Sequence, residues 1–400
     1  REGQPDFATV DALGSSGQDQ LSGIARQPGD SRQEILNFLN QRQLDQGDRI
    51  SGFIADGFDA TDTAAQRQAA LKVARDTAAD VNYSAARNGA NPVDVRGVVS
   101  KIDDRIGGMQ GIDGKLAKLR ARLINQTPDG NPSSTELSDF DRVLGVKQSL
   151  QDDIGAAVRA GRGNEARELG KVQAQLDAAL EASSPAYRAA NDEFAKASRS
   201  MDAIPAGQNM ARPSTRAADN TDIFNKLTPD QQAQARVGYG DKLLNKVENS
   251  AENADKARPF QSTKAQAQID AMSTDPNLLK RRLARENTMF ETRYAATGGS
   301  KTADNKANQS DANIDLGLIA NILSGRFGAA ATSVGGKASN LASGQNEATR
   351  QLVVDALLSK EPRKALSGAV SQAKSEAARR RMIEVLLRQT GTKGGQEAAR

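Results

Sequence analysis

Residues 134–182 read STELSDFDRVLGVKQSLQDDIGAAVRAGRGNEARELGKVQAQLDAALEA, and this stretch decides the fold class. In its first half, apolar side chains recur at the spacing of one helix face, at Leu137, Phe140, Leu144, Leu150, Ile154 and Val158. In its second half they recur at intervals of three and four, at Leu169, Val172, Leu176 and Leu180. Gly161-Arg162-Gly163 lies between the halves and is typical of a turn. The stretch therefore predicts an antiparallel helical hairpin.

The composition of the whole chain favours helices with thin cores. Of the 400 residues, 37% are hydrophobic and 4% are aromatic, and there is no Trp. Ala and unbranched polar residues are abundant, and these lose little side-chain entropy in a helix. We therefore predict an all-α protein of elongated helical hairpins and bundles with flexible Gly-rich segments. Because slender helical units often complete their cores against copies of themselves or partner proteins, we also expect a homo-oligomer.

Breaks in the helical pattern divide the chain into four predicted regions. Residues 1–90 form an N-terminal helical region whose first 30 residues, rich in Gly, Ser, Gln and Asp, predict a loosely ordered entry segment. Residues 91–205 form the helical hairpin domain, and residues 206–300 form a second helical domain. Residues 301–400 contain a Gly/Ala-rich segment followed by basic C-terminal helices.

Local signals mark several helix starts and one linker. Ser31 followed by Glu34 has the pattern of a capping box. Thr228-Pro229 and Asp275-Pro276 each place an N-cap side chain before a Pro at the first helical position. Pro205 and Pro213 predict a linker over about residues 204–218, because Pro lacks the backbone donor that a helix interior uses.

The side chains that most often carry catalysis are missing from the sequence. The chain contains no His and no Cys, which removes the usual general base, the usual zinc ligand and the common nucleophile pairs. Gly298-Gly299-Ser300-Lys301-Thr302 and Gly335-Gly336-Lys337 both depart from the pattern of a phosphate-binding loop. Adjacent carboxylates such as Asp152 and Asp153 point about 100° apart on a helix and do not converge on one ligand. We therefore predict a non-enzymatic protein without a metal or cofactor.

Two basic clusters stand out against a formal net charge of only +4. One consists of Lys280, Arg281, Arg282 and Arg285, and the other of Arg379, Arg380 and Arg381. Both have two interpretations: a solvated helix face, or a surface that neutralises the phosphates of double-stranded DNA without reading its sequence. The second cluster has Ile383, Leu386 and Leu387 beside it, which also suits an anionic membrane or a partner groove.

Residues 314–345 combine an apolar start with a run of Gly, Ala and Ser. Small residues allow helices to approach closely, both in water and in a bilayer. The apolar side chains that would carry such a contact are Leu316, Ile319, Ile322 and Phe327. Charges at Asp315, Arg326 and Lys337 divide the segment into pieces shorter than the ~18 apolar residues of a spanning helix. Helix packing, disorder and transient membrane contact therefore all remain open.

Several short motifs, taken in order over about residues 80–360, resemble one family of proteins. They are Ser184-Pro185-Ala186-Tyr187 with Ala190, Phe194 and Ala195, a helix centred on Gly238 and followed by Phe260, Arg285-Glu286 with Met289 and Thr292, and Gly298-Gly299-Ser300-Lys301-Thr302-Ala303. A Gly/Ala-rich segment follows the last motif. This succession resembles the C-terminal helical regions of large internal virion or DNA-ejection proteins of tailed phages and prophages of proteobacteria.

The resemblance implies a location and a set of partners. A protein of this kind lies inside the capsid near the portal, contacts the portal and other internal virion proteins, and leaves with the genome. It then helps to form a conduit across the host envelope, where it contacts the membrane transiently. The resemblance implies no catalytic residue. The alternative is a permanent structural or scaffold-like component of the virion or tail that binds its neighbours and stays in the particle.

Overall fold

The computed structural model describes Gln4 and residues 6–108, 111–298 and 347–361. The fold is predominantly α-helical, as the sequence predicts, with one two-stranded antiparallel sheet of β1 (Ile124–Gln126) and β2 (Pro132–Glu136). The helices are α1 (Thr9–Ala12), α2 (Ser15–Ala25), α3 (Asp30–Leu44), α4 (Gln46–Phe58), α5 (Ala64–Asn88), α6 (Arg96–Asp103), α7 (Asp113–Arg122), α8 (Phe140–Arg159), α9 (Gly163–Ser183), α10 (Pro185–Met210), α11 (Ala217–Asn225), α12 (Pro229–Glu248), α13 (Thr263–Met272), α14 (Pro276–Thr297) and α15 (Glu347–Leu358). A single turn of 3-10 helix covers Arg258–Gln261.

The contacts of the chain group it into two units. Unit 1 contains the residues up to Ala64 and those from Ile204 on, and unit 2 contains Ala65–Ala203. This differs from the four consecutive regions predicted from the sequence, because unit 1 joins two stretches that are far apart along the chain. Local patterns cannot indicate such a pairing, since it depends on contacts between distant segments.

The predicted hairpin, α8 packed on α9, provides much of the core of unit 2. The Asp139 side chain accepts a hydrogen bond from the backbone N of Arg142 (2.9 Å) and caps the start of α8. Gly161 takes a positive φ of 72° in the turn, a conformation that suits Gly. Val158 was predicted on the buried face but is 62% exposed, whereas Ala157 is fully buried. At the C-terminal end of α8, the small side chain of Ala157 therefore packs into the core in place of Val158.

Tyr187 anchors α10 to the hairpin within unit 2. Its side chain is 2% exposed, and its ring meets that of Phe140 edge-on with 5.4 Å between centroids. Lys147 donates a hydrogen bond to the Tyr187 hydroxyl (3.2 Å) and pairs with Asp177 (2.7 Å). Burial opposes the charge of Lys147, but the hydrogen bonds to Asp177 and Tyr187 outweigh it and raise the pKa of that ammonium. The polar end of Tyr187 is therefore satisfied inside the core.

In unit 1, α10 and α12 cross at two glycines. A Cβ atom at Gly207 would lie 1.9 Å from the carbonyl oxygen of Ala235, and one at Gly238 would lie 2.0 Å from that of Ile204. The backbones therefore touch at this crossing. The linker predicted over residues 204–218 is wrong for its first part, because α10 continues through Pro205 to Met210. Packing of α10 on α12 keeps this segment helical despite the missing backbone donor of Pro205.

The first and last described helices of unit 1 share one core. Val353, Val354 and Leu357 of α15 are buried with Val10 and Ile35, near the start of the chain. The backbone N and the Oγ1 of Thr9 both donate to the carbonyl oxygen of Ser359, at 3.1 and 2.7 Å.

The loosely ordered entry segment predicted for residues 1–30 is wrong where α1 and α2 form. Leu21 is fully buried, and Leu13 and Ile24 are each 4% exposed. The sequence prediction missed these helices because their few apolar residues are separated by Gly, Ser, Gln and Asp.

The Gly207 contact generates a stability prediction. We expect Gly207→Ala to lower the free energy of unfolding by about 1–3 kcal/mol, because the added methyl group overpacks a backbone contact. The control, Gly52→Ala in α4, has nothing within 4 Å of the added atom and should stabilise the helix by about 0.5–1 kcal/mol. Urea unfolding followed by circular dichroism measures both, and equal effects would contradict the crossing geometry.

Candidate functional site

The basic cluster interpreted as either a solvated helix face or a DNA-binding surface lies on α14, where its side chains also make contacts inside unit 1. Lys280 pairs with Asp270 of α13. Arg282 pairs with Asp56 (3.2 Å), and its guanidinium lies 4.8 Å from the centre of the Phe53 ring. The Arg285 guanidinium lies 5.4 Å from the centre of the Phe7 ring.

The four side chains of the cluster differ in their exposure to solvent. Arg281 is exposed, whereas Lys280, Arg282 and Arg285 are only partly exposed. Carboxylates near Lys280 and Arg282 reduce the positive potential that DNA phosphates would meet. DNA contact through the four residues stays a prediction, in which Arg281 has the greatest access to a large ligand.

A buried ionic group lies one turn further along α14. Glu286 is fully buried, and Arg49 of α4 donates two hydrogen bonds to its carboxylate, at 2.9 and 3.0 Å. Gln4 Nε2 donates to the same carboxylate (3.1 Å) and to the carbonyl oxygen of Arg282 (2.9 Å). Arg49 also reaches Asp6 at 3.0 Å. This arrangement holds the start of the chain against α4 and α14.

A second buried pair continues the network. Arg42 and Asp11 are joined at 2.7 Å, with side chains 3% and 0% exposed. Arg42 also donates to the carbonyl oxygen of Met289 (2.8 Å), and Asp11 accepts from the backbone N of Ala8 (2.9 Å). Burial lowers the pKa of Arg42, while Asp11 acts in the opposite direction. For Arg49, burial is opposed by the hydrogen bonds and charge of Glu286, and the pKa is raised.

The sequence did not single out these buried charges, although it contains a partial signal. Arg42, Gln46 and Arg49 follow one another at intervals of four and three, which places polar side chains on one side of consecutive helical turns. Gln46 joins the network by donating to the carbonyl oxygen of Glu286 (3.3 Å). The partners Asp11 and Glu286 are too distant in sequence for spacing to connect them.

Helix α5 of unit 2 presents an exposed face without charged residues. Each side chain from Ala65 to Ala85 is exposed or partly exposed. Val73 and Val81 are 67% and 66% exposed, more than the other large hydrophobic side chains described. The face, called the α5 face below, consists of Ala70, Val73, Ala74, Thr77, Ala78, Val81, Ser84 and Ala85. Its spacing of three and four residues is that of a helix–helix contact surface, and its side chains are small enough for close approach.

Other predicted site residues lie outside the described residues. These are the basic residues Arg379, Arg380 and Arg381 and the apolar residues Leu316, Ile319, Ile322 and Phe327. Across the described ranges, no helix combines the length and apolar character needed to cross a membrane. In the same part of the chain, no group of three or more acidic side chains is arranged to hold a metal ion.

No protein-family model matches the chain, and neither a curated protein nor a solved structure matches it.

The buried carboxylate of Glu286 leads to a second stability prediction. Glu286→Ala should lower the free energy of unfolding by about 3–5 kcal/mol, because it leaves the Arg49 charge in a poorly solvated site. Glu291→Ala, on the exposed side of the same helix, should change it by less than about 0.5 kcal/mol. The double variant Arg49→Met/Glu286→Leu should recover part of the loss. Urea unfolding measures all three, and a Glu286→Ala effect as small as that of Glu291→Ala would contradict the role of the pair.

The α5 face generates a prediction about self-association. Val73→Lys combined with Val81→Lys should shift the chain from oligomer to monomer, while the helical circular dichroism signal stays unchanged because both positions are exposed. Gln68→Lys/Ala69→Lys adds the same charge outside the face and should leave the assembly intact. Sedimentation velocity distinguishes the variants. A wild-type chain that sediments as a monomer at tens of micromolar would contradict self-association through the α5 face.

Proposed function

We propose that the chain is a non-enzymatic internal virion protein of a tailed phage, located near the portal and delivered with the genome to help form a conduit across the host envelope. The observation that carries the proposal is the order of motifs over about residues 80–360, from Ser184-Pro185-Ala186-Tyr187 to Gly298-Gly299-Ser300-Lys301-Thr302-Ala303. In this proposal no residue has a catalytic role. The chain acts by assembling with copies of itself and with virion partners.

The α5 face supports the assembly part of the proposal. Exposed apolar residues scattered singly are normal on a protein surface, but a continuous face along one helix is typical of a protein–protein contact. Val73 and Val81 would lie near its centre and exclude water, while the small side chains around them let a second helix approach. A contact between this face and a different surface of the next copy is heterologous and can repeat into a ring or a stack, which suits a position around a portal.

Contacts with the genome are proposed to be non-specific. Arg281 and the C-terminal cluster of Arg379, Arg380 and Arg381 would neutralise phosphates, so binding would weaken as salt is raised. The formal charge of +4 is small for 400 residues. Local patches, and not the field of the whole chain, would therefore provide the affinity for double-stranded DNA.

Quantitative mass spectrometry of intact virions and of particles that have released their DNA tests the proposal. The copy number of this chain per particle should fall with the DNA, while the portal and capsid proteins, which serve as internal controls, keep theirs. Retention at full copy number would favour a permanent structural component. Absence from intact virions would remove both functions.

A second measurement separates delivery from a fixed structural role. The full chain should release dye from anionic liposomes, and a variant with Leu316, Ile319, Ile322 and Phe327 replaced by Ser should not. Inertness of the wild-type chain, together with its retention in emptied particles, would leave only the structural alternative.

A further inference from the structure

An open groove of about 480 Å³ lies in unit 1 between the first half of α3 and the end of α15. Its volume lies within the range of pockets that bind small molecules. The described residues that line it are Asp30, Gln33, Glu34, Asn37, Phe38 and Leu358. The groove therefore combines an acidic and amide wall from α3 with two large apolar side chains.

The charged side chains among the described residues that line the groove, Asp30 and Glu34, are both acidic. Asp30 and Glu34 are four residues apart on α3, so their carboxylates lie on the same side of the helix. Asp30 is exposed, and Glu34 is partly exposed and accepts a hydrogen bond from Gln351. No Lys or Arg is among the described residues that line the groove. A complementary ligand would carry cationic side chains beside an apolar one.

The chain itself supplies such a segment next to the groove. Leu358 lines the groove, and the described residues end three positions later at Glu361. The sequence then continues Pro362-Arg363-Lys364-Ala365-Leu366-Ser367-Gly368-Ala369-Val370. Two cations are thus followed by an apolar side chain, in the combination that the groove complements.

The connection to α15 is long enough for this contact. An extended chain covers up to about 3.6 Å per residue, so Arg363 reaches up to about 18 Å from Leu358. The α3 wall from Asp30 to Asn37 is only about 10 Å long, given a rise of 1.5 Å per residue. A segment tethered so closely has an effective concentration in the millimolar range, so weak contacts are sufficient for occupancy.

We infer that residues 362–370 bind the groove of their own chain. Arg363 and Lys364 pair with Asp30 and Glu34, and Leu366 covers Phe38 and Leu358. The contact lies next to the buried apolar residues that join α15 to α1 and α3. It also draws two of the ten basic residues of the stretch from Lys360 away from any anionic partner. The inference does not depend on the proposed virion function.

The 400-residue sequence contains no Cys, which allows a direct test by disulfide formation. Asn37→Cys/Ala365→Cys places one thiol in the groove and one in the segment. Asp230→Cys/Ala365→Cys is the matched control, since Asp230 is exposed elsewhere in unit 1. We expect the groove pair to form an intramolecular disulfide at least about tenfold faster, given the millimolar effective concentration of a tethered partner.

The charges are tested in the same system. Adding Asp30→Asn and Glu34→Gln, or raising the salt concentration, should slow the groove pair severalfold and leave the control pair unchanged. Thermal unfolding of the reduced variants checks that the exposed substitutions leave the fold intact. Equal rates for the groove and control pairs would overturn the inference, and a disulfide-linked dimer as the main product would assign the segment to a second copy instead.

Discussion

The pairing of Glu286 with Arg49 is the constraint on which unit 1 depends. A carboxylate with no exposed surface is costly to bury unless cationic and hydrogen-bonding groups surround it. Arg49 supplies two hydrogen bonds and Gln4 a third. These hydrogen bonds join the N-terminal segment, α4 and α14, so the ionic group links three stretches that are far apart in the sequence.

Unit 1 is completed by contacts between residues that are far apart in the sequence. Gln4 and Glu286 are separated by 282 positions, and Thr9 and Ser359 by 350. Contacts between such distant residues form only after a large loss of chain entropy, which makes them slow to form. The helices of residues 1–64 therefore cannot complete their core until the C-terminal part of the chain is present.

Local sequence patterns correctly predicted the helix starts where the capping side chain bonds a backbone donor only three residues away. Thr228 caps α12 by accepting from the backbone N of Gln231, and Asp275 caps α14 by accepting from that of Leu278, as their patterns indicated. The Ser31–Glu34 pattern failed, because Gly29 occupies the N-cap position of α3 and the Ser31 hydroxyl donates to Gln351 of α15. The two cases differ in solvent exposure. A cap in water competes only with local partners, whereas Ser31 is 1% exposed and faces a distant helix.

The sequence by itself determined that the chain is helical, where the α8–α9 hairpin turns, and that His and Cys chemistry is absent. Apolar periodicity, caps and glycines act over a few residues, so a linear pattern reports them. Only the tertiary structure decided that Lys280 and Arg282 pair inside unit 1, that α10 continues through Pro205, and that α15 joins the N-terminal core. Those outcomes depend on which distant side chains become neighbours, because burial and ion pairing are properties of the assembled surroundings and not of the local sequence.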